Sequence, residues 1–119
     1  MSARPYWIDG LKAPLFVSWQ ITRDCDLACL HCCTESAPGK RMPGELALDE
    51  AMAVAREIIR NDVPYVMLCG GEPLVVSHFF DLARTLGEAG VHLKIETNGQ
   101  RFDAGVAASL AALPIRSIQ

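Results

Sequence analysis

The sequence has no strong excess of charge of one sign, no long apolar run and no low-complexity segment. A formal net charge of −3 without a basic cluster gives no reason to expect nucleic acid or an anionic membrane as a ligand. No apolar run approaches the ~20 residues that a membrane span needs, and Met1 to Lys12 lacks the pattern of a signal peptide. These absences predict a cytoplasmic protein with neither a nucleic-acid nor a membrane partner.

The sequence also lacks a second CxxC pair, a Ser/His/Asp triad and a Walker-type phosphate loop. It has five cysteines, and in a reducing compartment crowded cysteines more often bind metal or take part in chemistry than form disulfides. Half of the 119 residues are apolar and 21% are charged, which is typical of a globular domain that buries a core.

Strand-like and helix-like patterns alternate along the chain. Strands are predicted over 15–22, 65–69, 91–96 and 115–119, and helices around the apolar positions of 51–59, 79–86 and 103–110. Ser77 and Asp103 are predicted to cap the second and third helices, and His78 is expected in solvent. Strands separated by single helices indicate right-handed βαβ units, so the fold class predicted is α/β with a parallel sheet.

Three motifs follow the first three predicted strands directly. A cysteine cluster at 25–32 follows the first strand, a Gly-Gly-Glu-Pro segment at 70–73 follows the second, and Glu-Thr-Asn-Gly at 96–99 closes the third. Ligands of open parallel sheets gather at the carboxyl ends of the strands. The sequence therefore predicts that these motifs, although far apart in the chain, lie together at one edge of the sheet and form one binding site.

The cysteine cluster reads Cys25-Asp-Leu-Ala-Cys29-Leu-His-Cys32, with three thiols in eight residues. Thiolates at this density bind soft metals. A 4Fe-4S cluster usually takes four protein thiolates, so a compact set of three suggests that one iron is left for an exogenous ligand.

This motif resembles the hallmark CxxxCxxC of the radical S-adenosylmethionine (radical SAM) family, which lies in the loop after the first strand. The resemblance implies that Cys25, Cys29 and Cys32 ligate a 4Fe-4S cluster whose open iron chelates the amino and carboxylate groups of S-adenosyl-L-methionine. It also implies reductive cleavage of that cofactor to methionine and a deoxyadenosyl radical, which abstracts hydrogen from a substrate.

A structural zinc site is the alternative for the same cysteines, with Cys33 or His31 as the fourth ligand. The fourth ligand would then be adjacent to the third, which strains tetrahedral closure. Cys33 also has the simpler interpretation of a small buried residue, and so does Cys69 at the end of the second strand. His31 is interpreted as part of the surroundings rather than as a ligand.

The two other motifs are weaker by themselves. Two glycines at a strand end let backbone groups approach a ligand, and a neighbouring carboxylate can accept hydrogen bonds from an ammonium, but Gly-Gly and Asn-Gly also form turns on any fold. In the family, a GGE-type motif at this place holds the methionine amino group of the cofactor, and a TNG turn is common after the third strand. The resemblance therefore implies a set of cofactor-binding residues: Gly70, Gly71, Glu72, Pro73, Thr97 and Asn98.

The resemblance runs from about Leu15 to the end and looks closest to the branch that modifies peptides or builds cofactors. It implies an N-terminal extension at 1–14 and, at 15–119, the N-terminal part of a partial (β/α)6 barrel with about three and a half β/α units. Later motifs that contact ribose and adenine are absent. The implied partners are an electron donor such as flavodoxin or ferredoxin and a complementary C-terminal fragment, while the substrate is not defined by this sequence.

Three functions follow from these patterns. The first is a radical SAM oxidoreductase, or a fragment of one, acting on a peptide or a cofactor precursor. The second is a truncated, catalytically silent domain that binds a cluster, and the third is a zinc-binding structural module.

Overall fold

The computed structural model describes residues 12–32 and 36–119. Strands and helices alternate in it, and the predicted α/β class is confirmed. The elements in chain order are β1 (Phe16–Gln20), α1 (Leu48–Arg60), β2 (Tyr65–Cys69), α2 (Phe79–Glu88), β3 (His92–Ile95), α3 (Ala104–Ala111) and β4 (Ile115–Ile118), with a short 3-10 turn at Pro73–Val75 after β2.

The four strands form one parallel sheet in the order β1-β2-β3-β4. The register pairs Gln20 with Cys69 at the ends of β1 and β2, and Leu68 with Ile95 at the ends of β2 and β3. A register shift between Leu93 and Lys94 separates the two halves of the β3–β4 pairing. The carboxyl ends of β1, β2 and β3 therefore lie at one edge of the sheet.

The core forms where apolar strand residues meet the inner faces of the helices, because alternate residues of a strand point to the same face. Cys69 is buried as the sequence predicts, with its sulfur 3.4 Å from Ser18 Oγ, and Trp19 is half-buried against the core. On the strand faces, Tyr65 is exposed and stacks on His92 at 5.0 Å. The core residues are Ile21, Ala51, Ala55, Ile58, Val63, Val66, Leu68, Phe79, Leu82, Ala83, Leu86, Val91, Leu93, Ile95 and Leu110.

The N-termini of α2 and α3 test two predictions about capping residues. Asp103 caps α3 as expected, since its side chain accepts a hydrogen bond from Val106 N at 2.7 Å. The prediction for Ser77 was wrong, because His78 occupies the N-cap position of α2 and makes no side-chain cap bond. The prediction that His78 lies in solvent was also wrong: it is only 9% exposed. The 3-10 turn is closed by a bond from Val76 N to Pro73 O, and a further turn bonds Phe79 N to Val76 O, so α2 begins at Phe79 with His78 before it.

Among the helices of residues 12–32 and 36–119, none combines the length and the hydropathy that a membrane-spanning segment requires. Most of the predicted extension at 1–14 lies outside the described residues, so its boundary stays a prediction.

Candidate cluster and cofactor site at the strand ends

The Gly-Gly pair after β2 packs directly on the backbone of the cysteine-bearing segment. Gly71 N donates to Thr22 O at 2.8 Å, and Glu72 N donates to Asp24 O at 2.9 Å. Gly70 has a φ of +131°, and a Cβ placed on it would collide with the carbonyl oxygen of Thr22. A Cβ on Gly71 would collide in the same way with the carbonyl of Asp24. Glycine is therefore required at both positions by the close approach of two chain segments.

The carboxylate of Glu72 points into the protein and is fully buried, with 0% exposure. Its Oε1 accepts hydrogen bonds from Leu74 N at 3.1 Å and from Thr97 Oγ1 at 2.7 Å, and its Oε2 accepts one from Asn98 N at 2.7 Å. A carboxylate has about four lone-pair sites, and three donors of the protein already occupy this one. Glu72 thus joins the end of β2 to the end of β3.

Asn98 continues this network to the cysteine loop. Its Nδ2 donates to Asp26 Oδ1 at 2.7 Å and lies 3.5 Å from Cys25 Sγ, and its Oδ1 accepts a hydrogen bond from Gln100 N at 2.9 Å. Arg101 forms an ion pair with the other oxygen of Asp26 at 3.6 Å. The three motifs that the sequence predicts at one edge of the sheet are therefore in direct contact.

The three predicted cluster ligands lie in one loop but in different environments. Cys25 is 8% exposed, Cys32 is half-buried and Cys29 is exposed. The Cys25 sulfur accepts a hydrogen bond from Leu27 N at 3.4 Å, and the Cys32 sulfur accepts one from Ser36 N at 3.4 Å. N–H groups that point at sulfur stabilise thiolate ligands, so this donor set fits an iron–sulfur cluster in its chemistry and its place.

The described residues contain no group of three or more His, Cys, Asp or Glu side chains already gathered to hold a metal ion. A backbone bond from Cys32 N to Cys29 O at 3.3 Å forms a turn between the last two cysteines. To share one metal cluster with Cys25, the sulfurs of Cys29 and Cys32 would have to move closer to it. Among the alternative zinc ligands, His31 is exposed and Cys33 lies outside the described residues.

A cavity of about 320 Å³ opens at the carboxyl ends of β2, β3 and β4. Four of the predicted cofactor-binding residues line it, whereas Glu72 and Pro73 are buried. Three other cavities of about 350, 450 and 400 Å³ are larger, but none of the predicted site residues in the described part of the chain lines them. The residues around the first cavity are Gly70, Gly71, Glu96, Thr97, Asn98 and Gln119.

Glu45 is a residue of this region that sequence reasoning missed. Its carboxylate accepts hydrogen bonds from Thr22 Oγ1 at 2.9 Å, from Arg23 N at 2.8 Å and from Met42 N at 3.2 Å. Arg41 adds an ion pair at 3.3 Å. Glu45 therefore holds the segment that follows the cysteine loop against the end of β1. Nothing in the local sequence marks it, because a glutamate before a helix is most often in solvent.

Comparison with known proteins assigns the family. The sequence model of the Radical SAM superfamily matches residues 19–119, and this range includes all three motifs at the strand ends. Among curated relatives, the chain is 41% identical over 110 residues to mycofactocin maturase MftC of Mycobacterium ulcerans. That alignment covers 92% of this chain and 29% of the relative, so this chain spans less than a third of its length.

Solved structures show the same fold. SuiB of Streptococcus suis, bound to S-adenosylmethionine, matches with a TM-score of 0.71 at 24% identity, over 84% of this chain and 23% of SuiB. BtrN, in complex with AdoMet and 2-DOIA, matches with a TM-score of 0.74 at 18% identity, over 90% of this chain and 45% of BtrN. The predicted resemblance to the N-terminal part of peptide and cofactor maturases is confirmed, and this chain belongs to the radical SAM superfamily.

Proposed function

We propose that this chain carries the cluster-binding and cofactor-binding part of a radical SAM oxidoreductase. The observation that supports this most strongly is the hydrogen-bonded path from Cys25 through Asn98 to Glu72. It joins the ends of the first three strands, and it runs beside the 320 Å³ cavity. A zinc module would have no need to couple its cysteines to the end of a distant strand.

In this proposal, Cys25, Cys29 and Cys32 would hold a 4Fe-4S cluster, and S-adenosyl-L-methionine would lie in the cavity at the strand ends. The bound and reduced cluster would supply the electron for reductive cleavage of that cofactor, and the cleaved cofactor would supply the radical that abstracts hydrogen from a substrate. The remaining residues of the site bind and orient the cofactor.

The backbone at Gly70 and Gly71 lines the cavity in which the cofactor would lie. The carbonyl groups of Thr22 and Asp24 fill the space that side chains would take at these two positions, so the cysteine-bearing segment supports this wall. The side chain of Glu72 supports this wall from behind, through its bonds to Thr97 and Asn98. Its direct contact with the cofactor ammonium, predicted from sequence, stays a prediction. In its observed position, the Glu72 carboxylate stabilises the backbone that lines the cavity.

The proposal also includes a substrate and partners, which are molecules other than this chain. The name of the relative MftC favours a peptide or a cofactor precursor as the substrate. We propose that a flavodoxin or ferredoxin delivers the electron in the cytoplasm, and that a complementary C-terminal fragment supplies the rest of the barrel. Such a fragment would also cover the apolar surface of α3, of which only Leu110 is buried.

The exposure of α3 equally favours a second candidate, a catalytically silent domain that binds a cluster and does not respond to the cofactor. Both candidates predict iron and acid-labile sulfide, whereas the zinc module does not.

Anaerobic reconstitution of the chain with iron and sulfide, followed by electron paramagnetic resonance of the reduced protein, separates these functions. We expect a 4Fe-4S signal that changes when S-adenosylmethionine is added. A signal that is blind to the cofactor would favour the silent domain, and failure to hold a cluster would contradict the proposal. Cys32→Ala is the negative control, because it removes one predicted ligand.

A further inference from the structure

Asn98 is bonded through its backbone and through both ends of its side chain. We propose that Asn98 is a positioning residue that donates a hydrogen bond from Nδ2 to the Cys25 sulfur and thereby raises the reduction potential of the cluster. This inference rests on the proposed function. It gives Asn98 a role toward the cluster that differs from the cofactor contact predicted from sequence.

The direction of the Asn98 amide is fixed by its partners. Oδ1 accepts from Gln100 N at 2.9 Å, so the other end of the amide must be the NH2 group. That end faces the Asp26 carboxylate at 2.7 Å and the Cys25 sulfur at 3.5 Å, and both of these groups are acceptors. A flipped amide would place oxygen against a carboxylate and would leave Gln100 N facing a donor.

The backbone of Asn98 is held as firmly as its side chain. Its N–H donates at 2.7 Å to Glu72 Oε2, which belongs to a fully buried carboxylate. The donor is therefore aimed at the sulfur before any metal arrives, and its orientation does not have to be organised during reduction.

The charges around the contact between Asn98 and Cys25 determine whether the reduction potential is raised or lowered. Reduction adds one negative charge to a cluster and its thiolates, and an N–H donor at sulfur stabilises the more negative state. Asp26 opposes this effect with its own negative charge, but Arg101 lies 3.6 Å from its other oxygen and offsets part of that charge. Leu27 N is a second donor to the same sulfur, at 3.4 Å. Removing Asn98 should lower the potential without abolishing the cluster.

The test is the reduction potential of the reconstituted chain, followed by electron paramagnetic resonance in a redox titration. Asn98→Ala should reduce the equilibrium constant for reduction about tenfold, which is about 59 mV for a one-electron couple. Asn98→Asp keeps the acceptor for Gln100 N but replaces the donor at sulfur by a charged oxygen, so its potential should be lower still. Gln100→Ala is the matched control and should leave the potential unchanged, because only its backbone contacts Asn98.

Unchanged potentials in both Asn98 variants, or a shift in Gln100→Ala as large as that in Asn98→Ala, would overturn the inference. The proposed function fails separately, if the unsubstituted chain holds no cluster that responds to S-adenosylmethionine.

Discussion

Replacing Glu72 by glutamine changes one atom of a fully buried group and so tests the network directly. Oε1 of Glu72 accepts two hydrogen bonds and Oε2 accepts one. A glutamine offers one carbonyl oxygen and one NH2 group. In either orientation of that amide, a backbone N–H, of Asn98 or of Leu74, is left facing a donor.

An unsatisfied buried donor costs about 1–3 kcal/mol, so we expect Glu72→Gln to lower the free energy of unfolding by about 2 kcal/mol. The assay is equilibrium unfolding in urea, followed by far-ultraviolet circular dichroism of the metal-free chain. Glu96→Gln is the matched control: it lies on the same cavity, is exposed, and should change stability by less than about 0.5 kcal/mol. Equal stabilities of the two variants would refute the inward placement of the Glu72 carboxylate.

Three further predictions concern the same edge of the sheet. Gly71→Ala should lower the free energy of unfolding by about 3 kcal/mol, because its Cβ collides with the backbone of Asp24; an unchanged urea midpoint would contradict this. Glu45→Ala should speed amide hydrogen exchange at Arg23 about tenfold, since that N–H loses its acceptor, and an equal rate would show that the bond contributes nothing. Cys32→Ala should lose the cluster in iron and sulfide analysis while Cys33→Ala keeps it, and loss of iron in the second variant would refute the ligand assignment.

Patterns with a local cause could be predicted from the sequence. Strand β2 was predicted with the bounds that the structure has, because a continuous apolar run ends at two glycines. The cap of α3 was predicted because an aspartate before a helix satisfies a free N–H wherever the helix lies. The convergence of the motifs followed from parallel topology alone.

Features that depend on the packing of distant segments could not be predicted. The sequence gives no sign that the Glu72 carboxylate faces inward, since its partners Thr97 and Asn98 reach it only through the register of β2 and β3. Burial of His78 likewise depends on distant segments, since it lines one cavity together with Ile21 and Glu45. The sequence predicts that the two glycines let a ligand approach, whereas in the structure the backbone of Thr22 and Asp24 fills the space that their side chains would occupy.

The contact between Asn98 and Cys25 also has a consequence for the order of events during synthesis. The cysteine loop leaves the ribosome before its partner does, and the about 66 residues from Cys32 to Asn98 take roughly 3–13 s at ~5–20 residues per second. During that interval the thiols have neither the Asn98 donor nor the cover of the β3 end. The nascent chain is therefore most vulnerable to oxidation and to capture of the wrong metal before β3 is made, and a pause in translation ahead of β3 should lower the yield of correctly loaded protein.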